Sequence, residues 1–110
     1  MSAADNHDHK TISATELSAL LAAGQAIVVD VREPDEFASS HIAGAVNLPL
    51  SRFAAEQLPD APGKKIVLQC AGGKRSGMAL DRCAQAQVAV DTHLDGGLAS
   101  WKAAGLPMVA

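Results

Sequence analysis

The stretch Lys65–Gln87, KIVLQCAGGKRSGMALDRCAQAQ, decides the fold. It opens on an apolar run rich in β-branched residues that ends at Cys70, the pattern of a strand buried on both faces. From Ser76 onward the spacing predicts a helix, with Ala79, Leu80, Cys83 and Ala84 on one face. Between them lie Ala71, two glycines, a lysine and an arginine. Ordering so glycine-rich a loop costs conformational entropy, which directs attention to what the loop holds.

Working outward, the same alternation recurs. In ISATEL, Ser13 is placed as an N-cap, Glu16 completes a capping box, and Ile12 and Leu17 form a hydrophobic staple. A helix is predicted from Ala14 to Ala23, ending at Gly24 as its C′ residue. AIVVDV reads as a buried strand with Asp30 and Arg32 at its end. Pro34 then opens a helix, PDEFASS, whose Asp35 and Glu36 suit its positive end. AVNLPL reads as extended, and Ser51 as the cap of a helix through Phe53 and Glu56 to Leu58. VDTHL is a last strand and GLASWKAAG a closing helix before LPMV. Strands that alternate with helices predict an α/β domain, a parallel sheet covered by helices on both faces. Sites in such sheets lie at the carboxyl ends of strands, where Cys70 stands.

At 110 residues there is room for one domain. Residues 1–10 read as a mobile polar tail and 11–110 as the folded body. His7 and His9 lie in the tail among Asp5, Asn6 and Asp8, a polar segment rather than a weak metal site. Elsewhere no Cys and His fall at ligand spacing, so no metal is expected. Nine basic against 12 acidic side chains, a net charge of -3, give no electrostatic footprint for nucleic acid or an anionic membrane. The first residues lack a secretory signal pattern, and no segment nears the roughly 20 apolar residues that span a bilayer. A cytoplasmic location is expected, with both cysteines as free thiols. AGGKRS lacks the spacing of a nucleotide-binding P-loop, so no cofactor is expected. Nothing marks an obligate interface, and a monomer is expected.

A thiol is nucleophilic as thiolate, and its pKa falls at a helix N-terminus or beside cations. Cys70 is offered both. The amides of Ala71, Gly72, Gly73, Lys74, Arg75 and Ser76 can curl into a nest that holds an anion, with the helix dipole behind it. Lys74 and Arg75 add charge, and a guanidinium holds an oxyanion by paired hydrogen bonds. Phosphate, arsenate and sulfur oxyanions all suit such a nest. The loop alone leaves a second reading open, an inert buried cysteine before an ordinary glycine-rich turn. Spacing narrows the chemistry. Cysteine phosphatases carry their arginine six positions after the cysteine, whereas Arg75 is five positions on, so the ring is small for a phosphoryl group but can enclose one extra sulfur.

Three stretches together resemble the rhodanese (sulfurtransferase) family. VVDVREPDEFASSHIAGAVNLPL is similar to its N-terminal signature, CAGGKRS to its active loop opening on the catalytic cysteine, and LDGGLASWKAAGLPMV to its closing signature. They occur in the family's order across nearly the whole folded part, with Ser40 where the family often has glycine. The resemblance implies a five-stranded parallel sheet flanked by helices and a two-step transfer. The Cys70 thiolate takes the outer sulfur of a donor as a persulfide, and a second nucleophile removes it. The loop amides would hold the anionic sulfur, while Arg75 and Lys74 would attract the donor. Two cations suit an anionic donor such as thiosulfate, with cyanide or a thiol as acceptor.

The resemblance also makes Asp30 and Arg32 a scaffold pair, with Glu36 able to join them. His41 reads as a hydrogen-bonding turn residue, Cys83 as a small core hydrophobe rather than a resolving thiol, and Trp101 as core beside Leu98. No role is assigned to His93. Two further functions use the same cysteine: a sulfur carrier loaded by protein persulfide partners, and a phosphatase or arsenate reductase, which the short loop disfavours.

Overall fold

The computed structural model describes residues 9–110. Strands β1 (Lys10–Ile12), β2 (Ala26–Asp30), β3 (Val46–Asn47), β4 (Lys65–Gln69) and β5 (Thr92–Leu94) form one sheet in the order β1-β5-β4-β2-β3. All pairings are parallel. The helices are α1 (Ala14–Ala22), α2 (Pro34–Ser39), α3 (Lys74–Gln85) and α4 (Gly97–Ala103).

Alternation of side chains along the strands divides the core in two. On one face Ile12, Val28, Val67 and Leu94 pack with Leu17 of α1 and with Leu98 and Trp101 of α4. On the other, Val29, Leu68 and Cys70 pack with Ala79, Leu80 and Cys83 of α3 and with Phe53 and Ala55. Trp101 is core as expected, and its indole N–H donates to the Pro107 carbonyl at 2.9 Å.

Local chemistry explains the element ends. The Ser13 hydroxyl accepts from the Glu16 amide at 3.1 Å, and the Glu16 carboxylate accepts from the Ser13 amide at 3.2 Å, completing the predicted capping box. Such a cap is worth about 1 kcal/mol. Pro34 occupies the first turn of α2, where its missing N–H costs no hydrogen bond.

Three expectations change. Lys10 belongs to the sheet rather than to a tail: its amide donates to the Asp91 carbonyl at 2.8 Å, and β1 pairs with β5. His9 is also placed, 2.8 Å from Asp81. The reading of residues 1–8 as mobile, and with it His7, lies outside the described residues. A three-residue strand with one buried side chain has no periodicity to detect, and its partner lies far along the chain. The helix predicted from Ser51 is instead two 3₁₀ turns, Leu50–Arg52 and Ala55–Gln57. The Ser51 hydroxyl donates to the Glu33 carboxylate at 2.7 Å and caps nothing, while Phe53 and Ala54 are extended. Finally, α3 starts at Lys74 rather than Ser76, so the two cations lie in its first turn.

The strand order positions the site. The connection from β4 runs through α3 to β5, and that from β2 runs through α2 to β3, on the opposite side. Adjacent strands whose connections diverge leave a crevice beyond their carboxyl ends. The loops after β2 and β4 both open into it.

Candidate active site

Cys70 follows the last residue of β4 and is 1% exposed. The chain turns through Ala71 and Gly72 to Gly73, whose φ of +108° is open to glycine at little cost, and enters α3. That turn aims backbone donors at the sulfur. The Gly73 amide donates to Cys70 Sγ at 3.0 Å and the Ser76 amide at 3.4 Å. Burial pushes the thiol up, but the Ser76 amide and hydroxyl and the Gly73 and Gly72 amides outweigh it, so Cys70 titrates below its ordinary value of 9.0. The thiolate form is thus favoured over that of an ordinary thiol by donors at the N-terminus of α3.

A second element fixes the loop from outside. The Leu98 amide donates to the Cys70 carbonyl at 2.8 Å and the Ala99 amide to the Ala71 carbonyl at 3.0 Å, so the start of α4 is docked on the loop. This approach requires glycine at position 97. Its φ is +59°, and a Cβ there would overlap the Cys70 carbonyl oxygen and stand 2.7 and 2.8 Å from the carbonyl carbon and oxygen of Ala71. The pair Gly96–Gly97 in the sequence was the available signal of this close approach.

The expected roles in the loop are now distributed. Gly73 and Ser76 reach the sulfur directly, the Gly72 amide adds to its stabilisation, and Ala71 is tied through its carbonyl to α4. Lys74 is exposed in the first turn of α3. Arg75 is engaged: its Nη1 and Nη2 donate to the two carboxylate oxygens of Glu36 at 2.7 and 3.0 Å. Glu36 therefore joins Arg75 instead of the Asp30–Arg32 pair, because its place in the first turn of α2 faces the start of α3 across the crevice. The Arg75 bond and the Glu33 amide hold the Glu36 carboxyl down at about 2. The fork uses one edge of the guanidinium and leaves its other N–H groups outside the pair.

Asp30 and Arg32 form the expected scaffold. The Arg32 Nε and Nη2 donate to the buried Asp30 carboxylate at 2.8–3.1 Å, and Nη2 also donates to the Ser40 carbonyl at 2.7 Å. Asn47, which carried no recognisable signal, donates from its side chain to the Asp30 and Arg32 carbonyls at 3.0 and 2.9 Å. The turn after β2, which leads into α2 and so to Glu36, is thus fixed by paired charge and by an amide. His41 is a hydrogen-bonding residue as expected, its Nδ1 2.8 Å from the Phe37 carbonyl oxygen. Cys83 is wholly buried, and burial alone pushes its thiol up to about 11. Sequence reading missed His93, whose Nδ1 lies 2.8 Å from Ser76 Oγ behind the active loop.

Known proteins share this fold. Residues 13–104 match the rhodanese-like domain. The chain is 47% identical over 107 residues to the uncharacterized protein slr1261 of Synechocystis sp., covering 97% of this chain and 60% of that protein's length. It is 31% identical over 84 residues to a sulfurtransferase of Allochromatium vinosum, covering 76% of this chain and 78% of the other. A crystal structure of a rhodanese-related protein from Thermoplasma volcanium is similar at a TM-score of 0.75 and 33% identity, covering 91% of this chain and 97% of that one. With a cysteine cradled at the end of a central parallel strand and a family match over most of its length, the chain belongs to the rhodanese-like domain family.

Proposed function

We propose that this protein is a sulfurtransferase that moves a sulfane sulfur from thiosulfate to a thiophilic acceptor, cyanide or a thiol, through a persulfide on Cys70. The observation that carries this reading is the convergence of the Gly73 and Ser76 amides on a buried Sγ at the start of α3. These donors favour the thiolate before any donor arrives, so no strong base is required. The thiolate attacks the outer sulfur of thiosulfate. A new S–S bond forms, the bond to the sulfonate sulfur breaks, and sulfite leaves with the electron pair. The acceptor then attacks the outer persulfide sulfur, and Cys70 leaves as thiolate. Lys74 and the free edge of Arg75 supply positive charge for the entering donor and the departing sulfite.

The free thiols suit a reducing compartment, and we place the protein in the cytoplasm. Among the described residues no helix is long and apolar enough to cross a membrane.

Intact-mass measurement after thiosulfate treatment, on the wild type and on Cys70→Ser, tests the reading. One added sulfur that requires Cys70 and is stripped by cyanide is expected. Wild type that stays unmodified while its thiol is free and reduced overturns thiosulfate as donor, and protein persulfides become the donors to try.

A further inference from the structure

Ser76 is wholly buried, and three groups surround its hydroxyl. Cys70 Sγ is 3.6 Å away, the Gly73 carbonyl oxygen 3.1 Å, and His93 Nδ1 2.8 Å. A hydroxyl has one proton to give. When Cys70 is a thiol, its S–H donates to Ser76 Oγ, and the serine proton is given to the Gly73 carbonyl or to a bare Nδ1. When Cys70 is a thiolate, the serine proton is best turned to the sulfur, and Oγ then has room for a donor. The carbonyl cannot donate. Only a proton on His93 Nδ1 completes that arrangement.

We propose that His93 is a positioning residue for Cys70, its Nδ1 proton turning the Ser76 hydroxyl toward the sulfur and favouring the thiolate, its bare Nδ1 drawing the hydroxyl away. This deepens the sulfurtransferase reading and rests on Cys70 as its nucleophile. The proton ledger closes within the three residues. The thiol proton passes to Ser76 Oγ as the serine proton passes to Nδ1, leaving thiolate, hydroxyl and imidazolium, with no oxidation or reduction. When an acceptor removes the persulfide sulfur, the Cys70 thiolate is released against a hydroxyl already turned to receive it.

The groups facing His93 make the coupling sharp. His9 lies edge-on at 5.9 Å between ring centres and is itself 2.8 Å from Asp81 of α3; Asp95 follows the end of β5; and Cys70 lies behind Ser76. Burial holds the His93 imidazolium down first, a charge on His9 does so further, and Asp95 opposes both. A new negative charge on Cys70 therefore acts on a ring otherwise kept neutral. Linkage requires the effect to be mutual: imidazolium favours thiolate as much as thiolate favours imidazolium.

Iodoacetamide alkylation of Cys70 against pH, in a Cys83→Ala background, tests this without any sulfur donor, so it stands apart from the choice of thiosulfate. His93→Leu and Ser76→Ala are each expected to raise the midpoint by about one pH unit, a tenfold change in the ionisation equilibrium. The double variant is expected to go no further, and His93→Asn, which restores an N–H near the place of Nδ1, to recover most of the shift. Coincident midpoints in folded wild type and His93→Leu overturn the proposal, as does full additivity in the double variant. Should His93→Leu not fold, the His93 ring is titrated by NMR in the parent and in Cys70→Ala. Its midpoint is expected to fall when the thiolate is removed, and an unmoved midpoint overturns the proposal.

Discussion

Cys70 and Cys83 lie in one apolar cluster, are 1% and 0% exposed, and are joined by a single strand-end loop and helix. Their thiols nonetheless move in opposite directions. Burial alone acts on Cys83 and lifts it to about 11, whereas at Cys70 the same penalty is outweighed by the Ser76 amide and hydroxyl and the glycine amides. What separates the two thiols here is the supply of N–H and O–H donors, not exposure. The first turn of a helix has such donors to spare, and its middle has none.

The strongest way to break this comparison is selective labelling of the native protein. At pH 8 a thiol titrating at about 11 is only about one part in a thousand thiolate. Cys70 is expected to take up iodoacetamide quantitatively and Cys83 only after denaturation, as read by peptide mass mapping. Comparable labelling of the two in folded protein would refute the assignment.

Gly97→Ala tests whether α4 holds the reactive geometry. Forcing a Cβ against the Cys70 and Ala71 carbonyls at a left-handed φ is expected to cost about 3 kcal/mol in urea unfolding. The Cys70 midpoint is expected to rise with it, because the amides lose their aim. Unchanged stability and an unchanged midpoint would show that the docking of α4 does not matter.

Cys83→Ala sharpens the other side of the comparison. Removing one buried sulfur is expected to cost about 1 kcal/mol and to leave sulfur transfer within twofold of wild type. A collapse of activity in folded Cys83→Ala would give that thiol a chemical role.

The smallest effect is expected from Glu36→Gln. The pair is partly exposed, its side chains 31% and 35% accessible, so its net worth is about 0.5 kcal/mol. The folded carboxyl is depressed from 4.5 to about 2, so its contribution is complete above pH 4.5 and lost as pH falls toward 2. The wild-type advantage over Glu36→Gln is expected to shrink over that window in parallel urea titrations. An advantage that grows on acidification would reverse the sign. Freeing Arg75 of its counter-charge is also expected to steepen the salt dependence of donor loading, whereas Arg75→Met is expected to weaken it.

Much of this molecule is legible from residue patterns because the decisive chemistry is local. The capping box of α1, Pro34 at the start of α2, the apolar runs of β2 and β4, and Cys70 before a glycine-rich helix entry all depend on neighbours within a few residues. The alternation of strands and helices then leaves a parallel sheet as the arrangement that buries both faces of those runs. The sequence alone therefore determined the fold class and the strand end at which Cys70 stands before its glycine-rich loop. Tertiary structure decided what joins across long intervals. It placed Lys10–Ile12 beside β5, took Glu36 from the scaffold pair to Arg75, set Gly97 against the Cys70 carbonyl, and brought His93 to Ser76. Each of these contacts satisfies a donor, acceptor or charge whose partner is chosen by where the sheet order brings two distant loops together, and spacing along the chain carries no record of that choice.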